Sequence, residues 1–398
     1  MGGNSKRNNA SLQNYLIMNR SEFMFVLKSF FSWRIALFLI LFLAVRFLPL
    51  QQNFLGGGLG NYISNPFLWA WSNFDGEHYL SIAQNGYGFG ERAFFPLFPL
   101  LIKSLGSLLG GNLISLNIAG NMISNFAFLA GLIGLYKLLK LDFSEKISKL
   151  TIVFLLLFPT SFYFAAVYTE SLFLMLSVWA FYFTRRKLWL PATVFGILLC
   201  ATRFVGIIIL PVVIIEYIFQ NYRNKDILKS FPWVTLTIPS GLAGYMYYLD
   251  RTIHDKFAFY TNLTTFGEQR SDHLITLPQV FYRYFVKILP NLNTTFFPII
   301  FTTYFEFFIG LTFLILIILS FRKIRWSYWT LLTFGYLIPT FSGSFSSMPR
   351  YVIVIFPVYF LVAKYLARFK FTLLVFYLIS GILLIISFTL FARGYWVS

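Results

Sequence analysis

Charge is scarce in this chain. Only 12% of its 398 residues are Asp, Glu, Lys or Arg, against about a quarter in a soluble domain. With 58% hydrophobic residues and a mean hydropathy of +0.71, that shortage excludes an ordinary soluble fold. Cysteine is nearly absent. The single Cys200 lies in an apolar run, which excludes an internal disulfide and a thiolate metal cage. Histidine occurs only at positions 78, 254 and 273, with no H-x-H or H-x-x-x-H spacing of the kind zinc favours. Near the start there is no short apolar core with a small-residue cleavage site, so no cleaved signal peptide is expected. Strong internal repeats and soluble linker domains are missing too, which favours a single domain.

What is abundant is apolar sequence. Runs of about 20 residues, the length that crosses a hydrocarbon core, recur from Phe30 onward. The chain therefore reads as an all-α polytopic membrane protein. Its formal charge of +18 does not mark a nucleic-acid face, because the basic residues are dispersed in short clusters between apolar runs. Such clusters mark cytoplasmic loops. Five of them (137–149, 185–187, 223–229, 322–325 and 364–370) share one side if the run 113–136 crosses and the run 93–109 does not. The run 93–109 is short, contains Pro96 and Pro99, and carries Lys103 at its middle. It is expected to lie on the outer interface.

This choice predicts about 11 transmembrane helices, near 30–50, 113–136, 150–166, 168–183, 188–202, 203–220, 231–249, 296–320, 326–342, 350–366 and 371–392. Residues 1–29 form a cytoplasmic N-terminal segment and 30–398 one transmembrane domain. The first outer loop spans 51–112, the second 250–293. Asp75, Glu77, Glu91, Glu170, Asp250, Asp255, Glu268 and Asp272 then fall on the outer side, with all three histidines. The inner loops hold mainly Lys and Arg. Glu306, inside an apolar run, stands apart.

The densest polar stretch is Trp71-Ser-Asn-Phe-Asp75-Gly-Glu77-His78-Tyr79, in the first outer loop. Ionisable groups beside a membrane are costly, so their clustering marks a site. Three short turns share its side. Tyr168-Thr-Glu170 opens a helix whose dipole favours a carboxylate. Thr202-Arg203-Phe-Val-Gly206 and Pro349-Arg350-Tyr351 each pin an arginine, and two guanidinium groups suit phosphate oxygens. The plainer alternative is that each arginine only snorkels to the interface. Asp75 and Glu77 offer a divalent cation just two carboxylates, so no metal site is assigned and no cofactor is required.

The run Phe74-Asp75-Gly-Glu-His-Tyr-Leu-Ser-Ile-Ala-Gln-Asn-Gly86-Tyr87, followed by Phe94-Phe-Pro-Leu-Phe-Pro99, resembles the PIG-V mannosyltransferases. These are polytopic glycosyltransferases of the GT-C class. Phe158-Pro-Thr-Ser-Phe, Tyr168-Thr-Glu-Ser-Leu-Phe173, Thr202-Arg203-x-x-Gly206 and Pro349-Arg-Tyr351 are similar to that family in the same order, over about 70–360. The family carries Trp immediately before its Asp. Here Phe74 stands there, with Trp71 three residues earlier, which bears on acceptor stacking.

The resemblance implies a GT-C fold with interfacial helices in the first outer loop. It implies a polyprenyl- or dolichyl-phosphate-linked sugar donor, mannose above other hexoses, and a lipid-linked or surface glycan acceptor. Asp75 is then the base of an inverting transfer. His78 and Tyr79 hold hydroxyls and Glu77 orients His78. Lys103, Arg203 and Arg350 meet the leaving phosphate, with Glu170 and Tyr351 beside them. Such an enzyme sits among the lipids of a prokaryotic plasma membrane or the ER, its site extracytoplasmic. A transporter of lipid-linked saccharides, or a non-catalytic subunit of a glycosylation complex, would share the aromatic helices but needs no base. Asn262-Leu-Thr264 and Asn293-Thr-Thr295 match glycosylation acceptors without deciding the membrane.

Overall fold

The computed structural model describes residues 18–262 and 273–397. The expected outer-loop acids Glu268 and Asp272, and Thr264 of one glycosylation motif, lie outside them. Among the described residues every regular element is helical. The first is α1, Arg20–Phe47, whose start is capped by Asn19. It begins before the span expected at 30–50. The apolar window marks where a helix can lie in hydrocarbon, not where it starts, and Glu22 in the first turn pairs with Lys140 at 3.1 Å.

After two short helices, Gly58–Ser64 and Pro66–Trp69, come α2 (Asp75–Asn85) and α3 (Leu97–Leu108). At about 1.5 Å per residue α3 is about 18 Å long, short of a hydrocarbon core. The bundle continues with α4 (Leu113–Leu139), α5 (Glu145–Leu156), α6 (Glu170–Arg185), α7 (Trp189–Cys200), α8 (Ile209–Asn221) and α9 (Ser240–Ile253). It closes with α10 (Phe297–Ser320), α11 (Trp326–Thr340), α12 (Met348–Val352), α13 (Pro357–Leu366) and α14 (Lys370–Ala392). Asn112 and Ser144 cap α4 and α5 through their side chains, satisfying amides the first turn leaves open.

Among the described residues, five helical stretches are long and apolar enough to cross a membrane: α1, α4, residues 204–221 ending in α8, α10 and α14. The other six expected crossings fall on helices of 10 to 16 residues. Turns shorten them. A 3-10 turn at Trp233–Thr237 precedes α9, and residues 353–356 part α12 from α13. Irregular backbone survives at such depth only where protein surrounds it.

Helix α4 packs along α6, α6 along α7, α8 along α11, α5 along α13 and α1 along α14. The loops between α1 and α4, α5 and α6, α7 and α8, and α11 and α12 thus gather at one end of the bundle. At the opposite end Arg185 bridges Asp142 (2.5 and 2.7 Å) and Glu216 (3.2 Å). Arg325 and the Ser327 hydroxyl reach Glu216 at 2.9 and 2.6 Å, and the Tyr328 hydroxyl donates to Asp142 at 2.9 Å. The sequence predicts mainly Lys and Arg at this end. These two carboxylates tie the ends of α4, α6, α8 and α11 together.

Candidate active site

The loop that delivers Asp75 is held from every side. Phe74, just before α2, has φ 58° and ψ −117°, which is strained for a bulky residue. A conformation of this kind costs about 1–3 kcal/mol and persists only when its surroundings over-determine it. They do so here. The Asn73 amide group accepts from Gly56 N–H (2.9 Å) and donates to the Phe391 carbonyl (2.9 Å). The Tyr168 hydroxyl donates to the Asn73 carbonyl (2.8 Å) and accepts from Asp75 N–H (3.2 Å). The buried Phe74 ring packs on Phe391 and Trp396. Behind it, Trp71 stacks on Phe388 and under the Arg34 guanidinium, 4.0 Å away. Asp75 begins α2, where the helix dipole favours a carboxylate.

Against Asp75 stands Arg350, from the far end of the chain. Its Nη1 lies 2.5 Å from Asp75 Oδ2, and its Nε lies 3.6 Å from Glu170 Oε1. Glu170, fully buried at the start of α6, also pairs with Arg203 Nη2. Arg203 Nε donates to Thr169 Oγ1 at 2.6 Å. The result is one chain of alternating charge, Asp75–Arg350–Glu170–Arg203. Arg350 is walled by Tyr163, Tyr168 and Tyr351, and Tyr351 also faces Arg203. Arg350 Nε and Glu170 Oε2 are buried without a hydrogen-bond partner among the described residues. Gly206 makes the Arg203 turn possible, since a Cβ there would clash with the Leu199 carbonyl oxygen.

A second cluster lies one turn along α2. His78 Nδ1 meets Glu91 Oε1 at 3.2 Å, the His78 ring stacks on Phe94, and Gly88 N–H donates to Glu91 Oε2 at 2.8 Å. Burial opposes charge on both groups. Their mutual hydrogen bond, with nearby carboxylates on one side and the Gly88 N–H on the other, outweighs it: His78 is pushed up and Glu91 down. Glu91, not Glu77, orients His78. Glu77 is pushed up from the ordinary 4.5 to about 7, chiefly by burial, with the His78 charge working against it.

The structure thus brings together Asp75, Glu170, Arg203, Arg350 and Tyr351. Tyr79 is buried beneath them, its hydroxyl 3.4 Å from Thr169 Oγ1. Glu77 and His78 flank the group on α2. Lys103 is exposed on α3 and joins none of these contacts. Sequence reasoning missed Asn73, Tyr163, Tyr168, Thr169 and Glu91 as partners. The signal for Tyr168 and Thr169 was their place beside Glu170; for Asn73 there was none. Among the described residues no group of three His, Cys, Asp or Glu could hold a metal ion. Beside Tyr351 and Gly206 a small apolar cleft opens, lined also by Phe173, Leu199, Val205 and Ile355.

A sequence model of the family described as mannosyltransferase (PIG-V) matches residues 11–269. The chain belongs to the PIG-V mannosyltransferase family. Comparison with curated proteins returns no match. The family match covers the Asp75 loop, the Glu170 turn and the Arg203 turn, whereas Arg350 lies beyond it. As a PIG-V-type protein the chain is a membrane glycosyltransferase, and its apolar helices agree with that.

Proposed function

We propose that this PIG-V-type enzyme transfers mannose, with inversion, from a polyprenyl-phosphate donor to a hydroxyl of a lipid-linked or surface glycan on the extracytoplasmic face. The observation that carries this reading is the contact between Asp75 and Arg350. It joins a carboxylate suited to act as base and a guanidinium suited to bind phosphate, from segments far apart in sequence. Asp75 accepts the proton of the acceptor hydroxyl as its oxygen attacks the anomeric carbon. The bond from that carbon to the donor phosphate breaks on the opposite face. Arg350 and Arg203 meet the charge that develops on the departing phosphate, at a site walled by tyrosines where such pairing is stronger than in water. His78, held by Glu91, suits an acceptor hydroxyl.

The test is sugar transfer by wild type and Asp75→Asn, with a panel of polyprenyl-phosphate sugars and native lipid extract as acceptor. A positioned base contributes about 10²–10⁴-fold, so a folded Asp75→Asn variant should lose activity on that scale. Equal transfer by both proteins would move the base elsewhere. No transfer by either, with lipid-linked sugar crossing a reconstituted bilayer, would favour a transporter.

A further inference from the structure

Glu306 is the sole charged residue of α10, a helix otherwise made of apolar and small polar side chains. It stands about 14 Å along the helix from Phe297, and it is buried. A carboxylate within such a span is costly and calls for a stated partner. Its Oε1 accepts the N–H of Ser347 at 2.8 Å, and the Tyr284 hydroxyl lies 3.5 Å from Oε2.

Ser347 is the hinge of the turn that carries Arg350. It has φ 64°, and its carbonyl accepts from Arg350 N–H (3.1 Å) and Tyr351 N–H (3.0 Å). The N–H and C=O of this one peptide-bearing residue therefore link Glu306 to both residues that wall the phosphate site. Thr160 fixes the other flank, its hydroxyl donating to the Pro349 carbonyl at 2.9 Å. Gly310, one helical turn beyond Glu306, lets α10 approach: a Cβ there would meet the Phe345 ring at 2.9 Å. Helix α12 has only five residues, too few to hold its own orientation without such anchors.

We infer that Glu306 is a positioning residue, which holds the Ser347 turn so that Arg350 meets the donor phosphate. The inference rests on the proposed donor role of Arg350. What this role requires is an acceptor atom at Oε1. Glu306→Gln keeps that acceptor. Glu306→Leu keeps the bulk but removes the acceptor of the Ser347 N–H.

The experiment measures binding of farnesyl phosphate to the full chain in nanodiscs, together with transfer kinetics, for wild type, Glu306→Gln, Glu306→Leu and Arg350→Ala. Glu306→Leu should weaken farnesyl phosphate binding and raise donor KM by about tenfold, with acceptor KM unchanged, and Glu306→Gln should restore both. Should Glu306→Leu fail to fold, Glu306→Asp, which shortens the reach to Ser347, should show the same donor defect in milder form. Unchanged binding in Glu306→Leu or Glu306→Asp, or a Glu306→Gln as defective as Glu306→Leu, would overturn the inference. Arg350→Ala is the separate control: if it binds farnesyl phosphate as wild type does, the donor role itself has failed.

Discussion

Asp75 and Arg350 hold each other in the resting site, and this bears on how the site takes its substrate. On the proposed reading, a donor phosphate competes with the Asp75 carboxylate for Arg350, 2.5 Å away. Removing the competing charge should tighten anion binding, so Asp75→Asn should bind farnesyl phosphate several-fold more tightly than wild type, even as transfer is lost. Isothermal titration in nanodiscs reads this directly. Weaker binding in Asp75→Asn would mean that the carboxylate preorganises Arg350 instead of competing for it.

Glu77 carries a pH signature at the same scale. Its folded value, pushed to about 7 by burial, lies above the ordinary 4.5. The folded protein therefore binds the proton more tightly than the unfolded chain, and the stability Glu77 contributes is full below about 4.5 and lost as pH rises through about 7. Glu77→Gln, which stays neutral, should melt above wild type at pH 8, with the gap closing toward pH 5. A gap that widens toward pH 5 would reverse the sign and refute burial as the dominant cause.

At the scale of elements, the two ends of the bundle do different work. At the site end, short helices and turns present side chains. At the far end, the Asp142–Arg185–Glu216–Arg325 cluster binds α4, α6, α8 and α11. Glu216 is fully buried there, and removing one partner of a buried pair strands the other charge. Glu216→Ala should therefore destabilise the protein by about 3 kcal/mol or more, seen as a lower Tm in detergent, while the folded fraction keeps its donor KM. A raised donor KM in that fraction would show that the far-end lock also sets the site. The turn at Arg203 was legible as a short connection with Gly206 in it. The breaks inside six expected spans were not, because hydropathy reports which residues suit a hydrocarbon environment and says little about where neighbouring helices allow the backbone to turn.

For the whole molecule, the charge pattern and the gathered loops make one statement about orientation. The site loops share an end, and the basic clusters with the Glu216 network share the other. If the site end faces out, Phe89→Cys, at a position 91% exposed, should react with a membrane-impermeant maleimide in intact cells. Lys229→Cys should react only after permeabilisation. The native Cys200 is buried and adds little background. The opposite labelling would invert the protein and move the site to the cytoplasm.

Composition and the order of short motifs were enough to establish a helical membrane protein of this family, and to single out Asp75, Glu170, Arg203 and Arg350. Scarce charge in an apolar chain has few physical explanations, and titratable side chains beside lipid stand out one by one. The pairing of those residues was another matter. That Arg350 meets Asp75, that Glu91 and not Glu77 steadies His78, that Lys103 stays outside, and that Glu306 reaches Ser347 all depend on helices from distant parts of the chain meeting at angstrom precision. Such distances arise from packing and burial in three dimensions, which hydropathy and spacing along one dimension do not encode.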